Sequence, residues 1–197
     1  MYQKYHTDAL VLGSRERGEN DRVFALYTKD FGLVHARASA VRKETSRMRY
    51  ALQNYSQAHV ALVRGKRGWR VAGATAIQSI GGGGEGTITF ARIARLILRL
   101  VAGEGENQYV FASLSEAHNA LVSASHEARA TIELVCVARI LYGLGYLSHE
   151  AFDLPAGQAG TTLFAHTAYT LEHVREAEEL REKLLSSVNR AIAETHL

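Results

Sequence analysis

Arg22-Val23-Phe24-Ala25-Leu26-Tyr27-Thr28, a turn from Thr28 to Gly32, then Gly32-Leu33-Val34-His35-Ala36-Arg37-Ala38-Ser39-Ala40: this stretch decides the fold. Short apolar runs broken by Gly, Asn and Asp read as strands rather than helices. Outward from it the pattern repeats, with Asp8–Ser14 before it and Gln57–Arg64 and Trp69–Ile80 after it. Five strands are therefore predicted between His6 and Ile80. The stretch from Val41 to Tyr55 carries Arg, Lys, Met, Ala, Leu and Gln, so a short helix is predicted there. Five strands with a helical insertion after the third is the plan of an OB-fold barrel.

Beyond Ser79 the character of the chain changes. Gly81-Gly82-Gly83-Gly84-Glu85-Gly86 holds regular structure only at a high entropic cost, so residues 81–87 are predicted to be a linker. Behind it Phe90, Ile93, Ala94, Ile97, Leu100 and Val101 recur at spacings of three and four, an apolar stripe that ends at Gly103. Further helices are predicted over Gln108–Ala124, Glu127–Leu144 and Leu171–Ala193. The last has Val174, Leu184 and Val188 facing inward and Glu179–Lys183 as an i,i+4 pair. A loop is expected around Pro155, within Asp153–Gly160. The predicted class is α+β: an N-terminal five-stranded OB-fold barrel over residues 1–80, then an α-helical domain over 81–197.

The charge of +3 over 197 residues conceals two halves of opposite sign. Residues 1–80 hold 14 Lys/Arg and 6 Asp/Glu, while 81–197 hold 9 and 14. A net +8 module precedes a net −5 one. Clustered cations gain free energy by releasing counterions from phosphates, so the first half calls for a polyanionic partner. The single cysteine, Cys136, excludes a disulfide framework or a cysteine zinc site within the chain. No charged-then-apolar leader opens the sequence, and arginines break its apolar runs well before the about 20 residues that span a bilayer. The expected address is a reducing cytoplasm, with no membrane contact.

Two segments concentrate the positive charge. Arg64-Gly65-Lys66-Arg67-Gly68-Trp69-Arg70 is predicted to be the hairpin between strands four and five, with glycines permitting the tight turn. OB-folds bind single strands with this loop, cations tracking phosphates while an aromatic stacks on a base. Trp69 has two readings, base stacker or barrel core, and burial is the more usual fate of a strand aromatic. The cations are read as phosphate contacts, since only phosphate binding needs so many together. The second segment, Arg42-Lys43-Glu44-Thr45-Ser46-Arg47-Met48-Arg49-Tyr50, would bring Lys43 and Arg47 to one face if helical. Neither has a base-reading motif, so recognition of backbone and shape is expected. Arg92, Arg95 and Arg99 form a third stripe opposite the apolar face of the first long helix. It is either a solvated face or a dock for an acidic peptide tail.

Enzymatic signals are weak. Gly81, Gly83 and Gly86 satisfy G-x-G-x-x-G with Glu106 about 20 residues on, as the dinucleotide fingerprint asks. Yet four successive glycines satisfy almost any spacing, and the helix behind them leads to another helix instead of a parallel strand. As a P-loop the run fails at its key charge, with Thr87 where lysine should stand. Nine histidines are scattered without metal-ligand spacing, His118 and His126 reading as surface residues. Cys136 in an apolar helix reads as inert core. No catalytic residue, metal or cofactor is predicted.

Taken together these residues resemble the RecO family of bacterial DNA repair proteins. The likeness is carried by the strand Ala9-Leu10-Val11-Leu12 followed by Gly18-Glu19-Asn20-Asp21-Arg22, and by the Thr28–Gly32 turn. It continues in Arg42-Lys43 with Ser46-Arg47 leading into Ala51-Leu52-Gln53, in the Arg64–Gly68 hairpin, and in Leu144-Gly145-Tyr146. The resemblance implies an OB-fold followed by a helical domain, binding to single- and double-stranded DNA, and strand annealing. It also implies contact with the acidic tail of the single-stranded DNA-binding protein SSB and partnership with RecR in loading RecA, at the nucleoid. Carried onto matching positions, it marks Arg42, Lys43, Arg47, Lys66 and Arg67 for DNA, joined on residue chemistry by Arg49, Arg64, Trp69 and Arg70. For the SSB tail it marks Arg129, joined by Arg92, Arg95 and Arg99. Three departures stand out: a shorter C-terminus than most relatives, no cysteines for the zinc site some members carry, and Ala38-Ser39-Ala40 where a lysine-glycine pair is common. The competing expectation is an OB-fold adaptor whose main ligand is protein or structured RNA.

Overall fold

The computed structural model describes residues 3–80, 83–148 and 162–195. Its first strands are β1 (Lys4–Arg17), β2 (Asp21–Thr28) and β3 (Gly32–Ala38), followed by β4 (Ser56–Gly65) and β5 (Gly68–Ser79). The five form one sheet in the order β1-β2-β3-β5-β4 that closes on itself. Neighbours run antiparallel except β3 and β5, which pair in parallel through Ala36↔Trp69 and Arg37↔Arg70. Alternation decides what each strand buries. Phe24 and Leu26, Val34 and Ala36, Val60 and Leu62 point inward and are almost wholly buried.

The helix expected between the third and fourth strands is a single turn, α1 (Met48–Ala51). Residues 41–47 are turns and irregular chain, so Lys43 and Arg47 do not share a helical face. Thr and Ser, here Thr45 and Ser46, are residue types whose side chains compete with helical backbone bonds, and Ala40 enters the segment at a φ of 54°, which a right-handed helix does not accept.

Behind the glycine run, of which Gly81 and Gly82 lie outside the described residues, helix begins at α2 (Glu85–Leu100). The expected linker is thus shorter than 81–87. Then come α3 (Gln108–Ser123), α4 (His126–Gly143), α5 (Thr162–Ala165), α6 (Leu171–Glu179) and α7 (Arg181–Glu194). The long final helix expected over Leu171–Ala193 is broken at Leu180, inside the Glu179–Lys183 spacing. The loop expected around Pro155 lies outside the described residues.

The chain divides into two compact units. One is Met1–Gly81 with Val101–Phe111, the other Gly82–Leu100 with Ala112–Leu197. The first therefore also takes in a short stretch that a division at residue 80 leaves with the helices. That stretch is stitched to the β2–β3 turn: the Gly105 N–H donates to the Phe31 carbonyl at 3.1 Å, and Gly32 bridges to Glu104. Gly32 sits at a φ of 64°, and a Cβ there would lie 2.1 Å from the Gly105 oxygen, so only glycine fits.

In the helical unit α4 is central, burying Leu134, Val135, Ala138 and Leu141 against Phe164, Ala177, Leu184 and Val188. Ser125 caps it by accepting the Ala128 N–H. Arg139 is fully buried on the same helix. Its guanidinium donates to the carbonyls of Leu163 at 2.7 Å and Thr167 at 2.6 Å and lies 4.9 Å from the centre of the Tyr169 ring. His118, expected at the surface, is fully buried edge-on to Phe90 at 5.2 Å, because it falls on the inward side of α3. No helix among the described residues is long and apolar enough to cross a membrane.

Candidate nucleic-acid interface

The hairpin forms as the glycines require. Gly65 pairs with Gly68, leaving Lys66 and Arg67 as the two-residue tip, and Gly68 adopts a φ of 96°. Below the tip the register sets a row of side chains across the sheet. Arg17 pairs with Asp21, Val23 with Arg37, Arg37 with Arg70, and Arg70 with Val63. With a side-chain period of two, Arg17, Arg37 and Arg70 lie on the face turned away from the core.

Arg17, Arg37, Lys66, Arg67 and Arg70 thus line one groove of about 420 Å³, with Ser39 at its edge. Lys66, Arg67 and Arg70 are exposed, and among the described residues no ion pair engages them. Arg37 is held by Asp21, its Nε donating to Oδ2 at 2.8 Å. The Asp21 carboxyl lies below its usual range, first because it accepts the Ala40 N–H at 2.8 Å and then because of Arg37. One carboxylate in this way fixes both the end of β3 and the aim of a groove arginine.

The second basic segment lines a separate concavity. Arg22, Arg42 and Arg49 surround a pocket of about 290 Å³ at the mouth of the sheet, floored by Phe24, Val41 and Leu52. Lys43 and Arg47 are exposed on the turns beside it but do not line it.

Trp69 is core. It is 5% exposed, its Nε1–H donates to Glu104 at 2.9 Å, and its ring meets Phe31 at 5.2 Å and Tyr5 at 5.6 Å. Arg64 lies 5.2 Å from the centre of that ring and 3.2 Å from Glu104. With its nitrogen and its ring so engaged, Trp69 follows the core reading of the two and is not available to stack on a base. Arg64 serves the same cluster.

The arginines of the helical unit are more tightly engaged. Arg92 makes a two-pronged pair with Glu133 at 2.6 and 2.5 Å, which raises its pKa. Arg129 pairs with Glu85, whose carboxylate also meets His126 at 3.0 Å and is held below its usual pKa first by that hydrogen bond. These residues edge a groove of about 290 Å³ beside the exposed Ile88. Arg95 and Arg99 are exposed on α2 outside it. Burial pushes the Cys136 thiol up to about 12, far from the thiolate a nucleophile needs. No group of three metal-ligating side chains is gathered among the described residues.

Arg17, Arg22 and Arg37 are absent from the residues picked out by sequence, which weighed runs of cations over isolated ones. Strand alternation held the missing signal, since Arg17 and Arg37 fall on outward positions of their strands.

The profile of the family described as Recombination protein O N terminal matches residues 1–79. Relatives named DNA repair protein RecO are similar to parts of the chain: one from Desulfitobacterium hafniense is 45% identical over 62 residues, 32% of this chain and 23% of the relative. One from Heliobacterium modesticaldum is 40% identical over 75 residues, 38% of this chain and 28% of the relative. One from Bifidobacterium animalis subsp. lactis is 27% identical over 149 residues, 76% of this chain and 54% of the relative. The matched segments thus span between about a quarter and about a half of these relatives' own length.

Proposed function

We propose that this chain, which belongs to the RecO family through its first domain, is a non-catalytic DNA-binding mediator of DNA repair whose closed sheet acts as an OB-fold. On this reading the 1–80 barrel carries single and double strands and the helices of 81–197 carry protein partners, in the cytoplasm at the nucleoid. The groove observation carries it: five cations drawn from three strands and a hairpin tip converge on one concavity, with Lys66, Arg67 and Arg70 exposed and outside any ion pair among the described residues. Such an array suits a phosphate backbone, whose charge repeats along the strand, better than it suits a single small anion. Backbone contact without base readout fits annealing, which must accept any sequence. Loading of RecA with RecR and capture of the SSB tail belong to the same reading, the tail meeting Arg92, Arg95, Arg99 or Arg129 once Glu133 and Glu85 yield them.

The test is fluorescence anisotropy of the full chain on single-stranded DNA across a salt series. Affinity is expected to fall with a logarithmic slope of about −0.7 per phosphate contact, so about −2 to −4 for three to five contacts. Salt-independent binding would overturn the proposal, and a clear preference for RNA of equal length would favour the adaptor.

A further inference from the structure

Beyond the hairpin groove, the geometry points to a second, discrete site at the mouth of the sheet that takes one phosphorylated nucleotide unit of a strand, with Glu16 as its built-in placeholder. This rests on the reading of the chain as a DNA binder but concerns a different concavity. The pocket of about 290 Å³ is lined by Arg22, Arg42 and Arg49 over an apolar floor. Its cations come from three separate places in the chain: β2, the turn after β3, and α1. Convergence of that kind is not explained by a solvated charge run.

Three further observations give the pocket its chemistry. The Glu16 carboxylate already stands where an anion would, 3.3 Å from Arg42 Nη1 and 3.6 Å from Arg22 Nη2, and at 59% side-chain exposure it is held loosely enough to leave. The Arg22 Nε is buried and has no hydrogen-bond partner among the described residues, an unspent donor that a turn of this half-exposed side chain would offer to a phosphate oxygen. Lastly, Tyr50, next to the lining Arg49, is 62% exposed, the most open large hydrophobic side chain among those described, with the Arg49 guanidinium 5.0 Å from its ring centre. A ring braced by a cation and open to solvent is a stacking surface for a base. It supplies here the aromatic function that Trp69, buried elsewhere, does not. Phosphate on the arginines and base on Tyr50 make a one-nucleotide site.

Binding would exchange one anion for another: Glu16 swings to water as the phosphate enters. Two measurements test this. In the first, the full-length protein is titrated with inorganic phosphate while the arginine Nε–H signals are followed by NMR, the Arg22 signal being identified by its loss in Arg22→Lys. A saturable shift of that signal is expected, and its absence overturns the site whatever the protein does with DNA. In the second, anisotropy on single-stranded DNA compares Glu16→Gln with Glu19→Gln, which makes the same change in net charge in the adjacent turn. Glu16→Gln is expected to tighten binding roughly two- to fivefold, the worth of an exposed ion pair removed as competitor, with Glu19→Gln close to wild type. Equal gains in both would mean a long-range field and no placeholder. Tyr50→Leu is expected to weaken binding at least about fivefold and Tyr50→Phe to preserve it; equal behaviour of the two would remove the base from the site. Oligonucleotides with and without a 5′-phosphate identify the source of the phosphate. Tighter binding of the phosphorylated end assigns the pocket to strand termini, and equal binding assigns it to internal linkages. Failure of all DNA binding with the Arg22 shift intact would sink the mediator reading and leave the phosphate site standing.

Discussion

The helical groove and the hairpin groove are both edged by arginines, and they differ in what those arginines already hold. In the helical unit Arg92 and Arg129 each grip a carboxylate of a facing helix, and Arg139 is sunk into the core on carbonyls. In the hairpin groove Lys66, Arg67 and Arg70 project from strands and a tight turn, with no ion pair to them among the described residues. Equal cation counts in sequence are therefore unequal as charge available to a ligand. The basic and acidic halves carry that contrast down to single side chains: where acids outnumber bases, each groove arginine finds a partner at home.

The sharpest way to break the contrast is to remove the most committed cation. Arg139→Met leaves the buried Leu163 carbonyl and the half-buried Thr167 carbonyl without their donor, and should cost the helical unit about 2–5 kcal/mol in urea denaturation. DNA affinity of the still-folded protein is expected to stay unchanged. A loss of affinity instead would mean that the helical cations reach DNA after all. Next in size, Gly32→Ala drives a methyl group into the Gly105 carbonyl at a left-handed φ. A loss of about 1–3 kcal/mol is expected, with faster hydrogen exchange at Gly105, whose N–H bonds Phe31. Retained protection there would show that residues 101–111 hold to the sheet by other means.

The sequence carried the sheet well and the site less evenly. All five strands were legible because half-buried strands alternate, and their ends moved by only a few residues, with β1 extending furthest, from Lys4 to Arg17. The run Ser14-Arg15-Glu16-Arg17 has no apolar residue to announce it; cross-strand pairing with β2 extends it instead. The hairpin tip was legible from its glycines. Which cations would converge was not, since register sets Arg37 opposite Arg70 and brings Arg17 into the same groove from a strand far off in the chain. The break at Leu180 escaped for a different reason: no Pro or Gly marks it, and tertiary packing of α6 and α7 against α4 decides it.

Smaller effects refine the comparison. Arg92→Gln frees Glu133 and should lower stability by no more than about 1 kcal/mol, as an exposed pair does, without moving DNA affinity. A larger loss would make that pair structural and not merely occupied. Smallest is a pH effect at Asp21. Its folded pKa lies below the ordinary 3.8, so the stability it adds is present above the unfolded value and is lost as pH falls through the folded one. Acid titration followed by circular dichroism should show that part of the loss disappearing in Asp21→Asn, and an unchanged acid limb would contradict the assignment.

The most direct measurement pits the two grooves against each other in one assay. Anisotropy on single-stranded DNA across a salt series would compare the wild type with Arg37→Gln, Lys66→Gln, Arg67→Gln and Arg70→Gln combined, and with Arg92→Gln and Arg129→Gln combined. The first variant is expected to bind far more weakly, its salt slope shallower by about 0.7 for each phosphate contact removed, and the second to track the wild type. Wild-type binding and slope in the first variant, or a matching loss in the second, would contradict it.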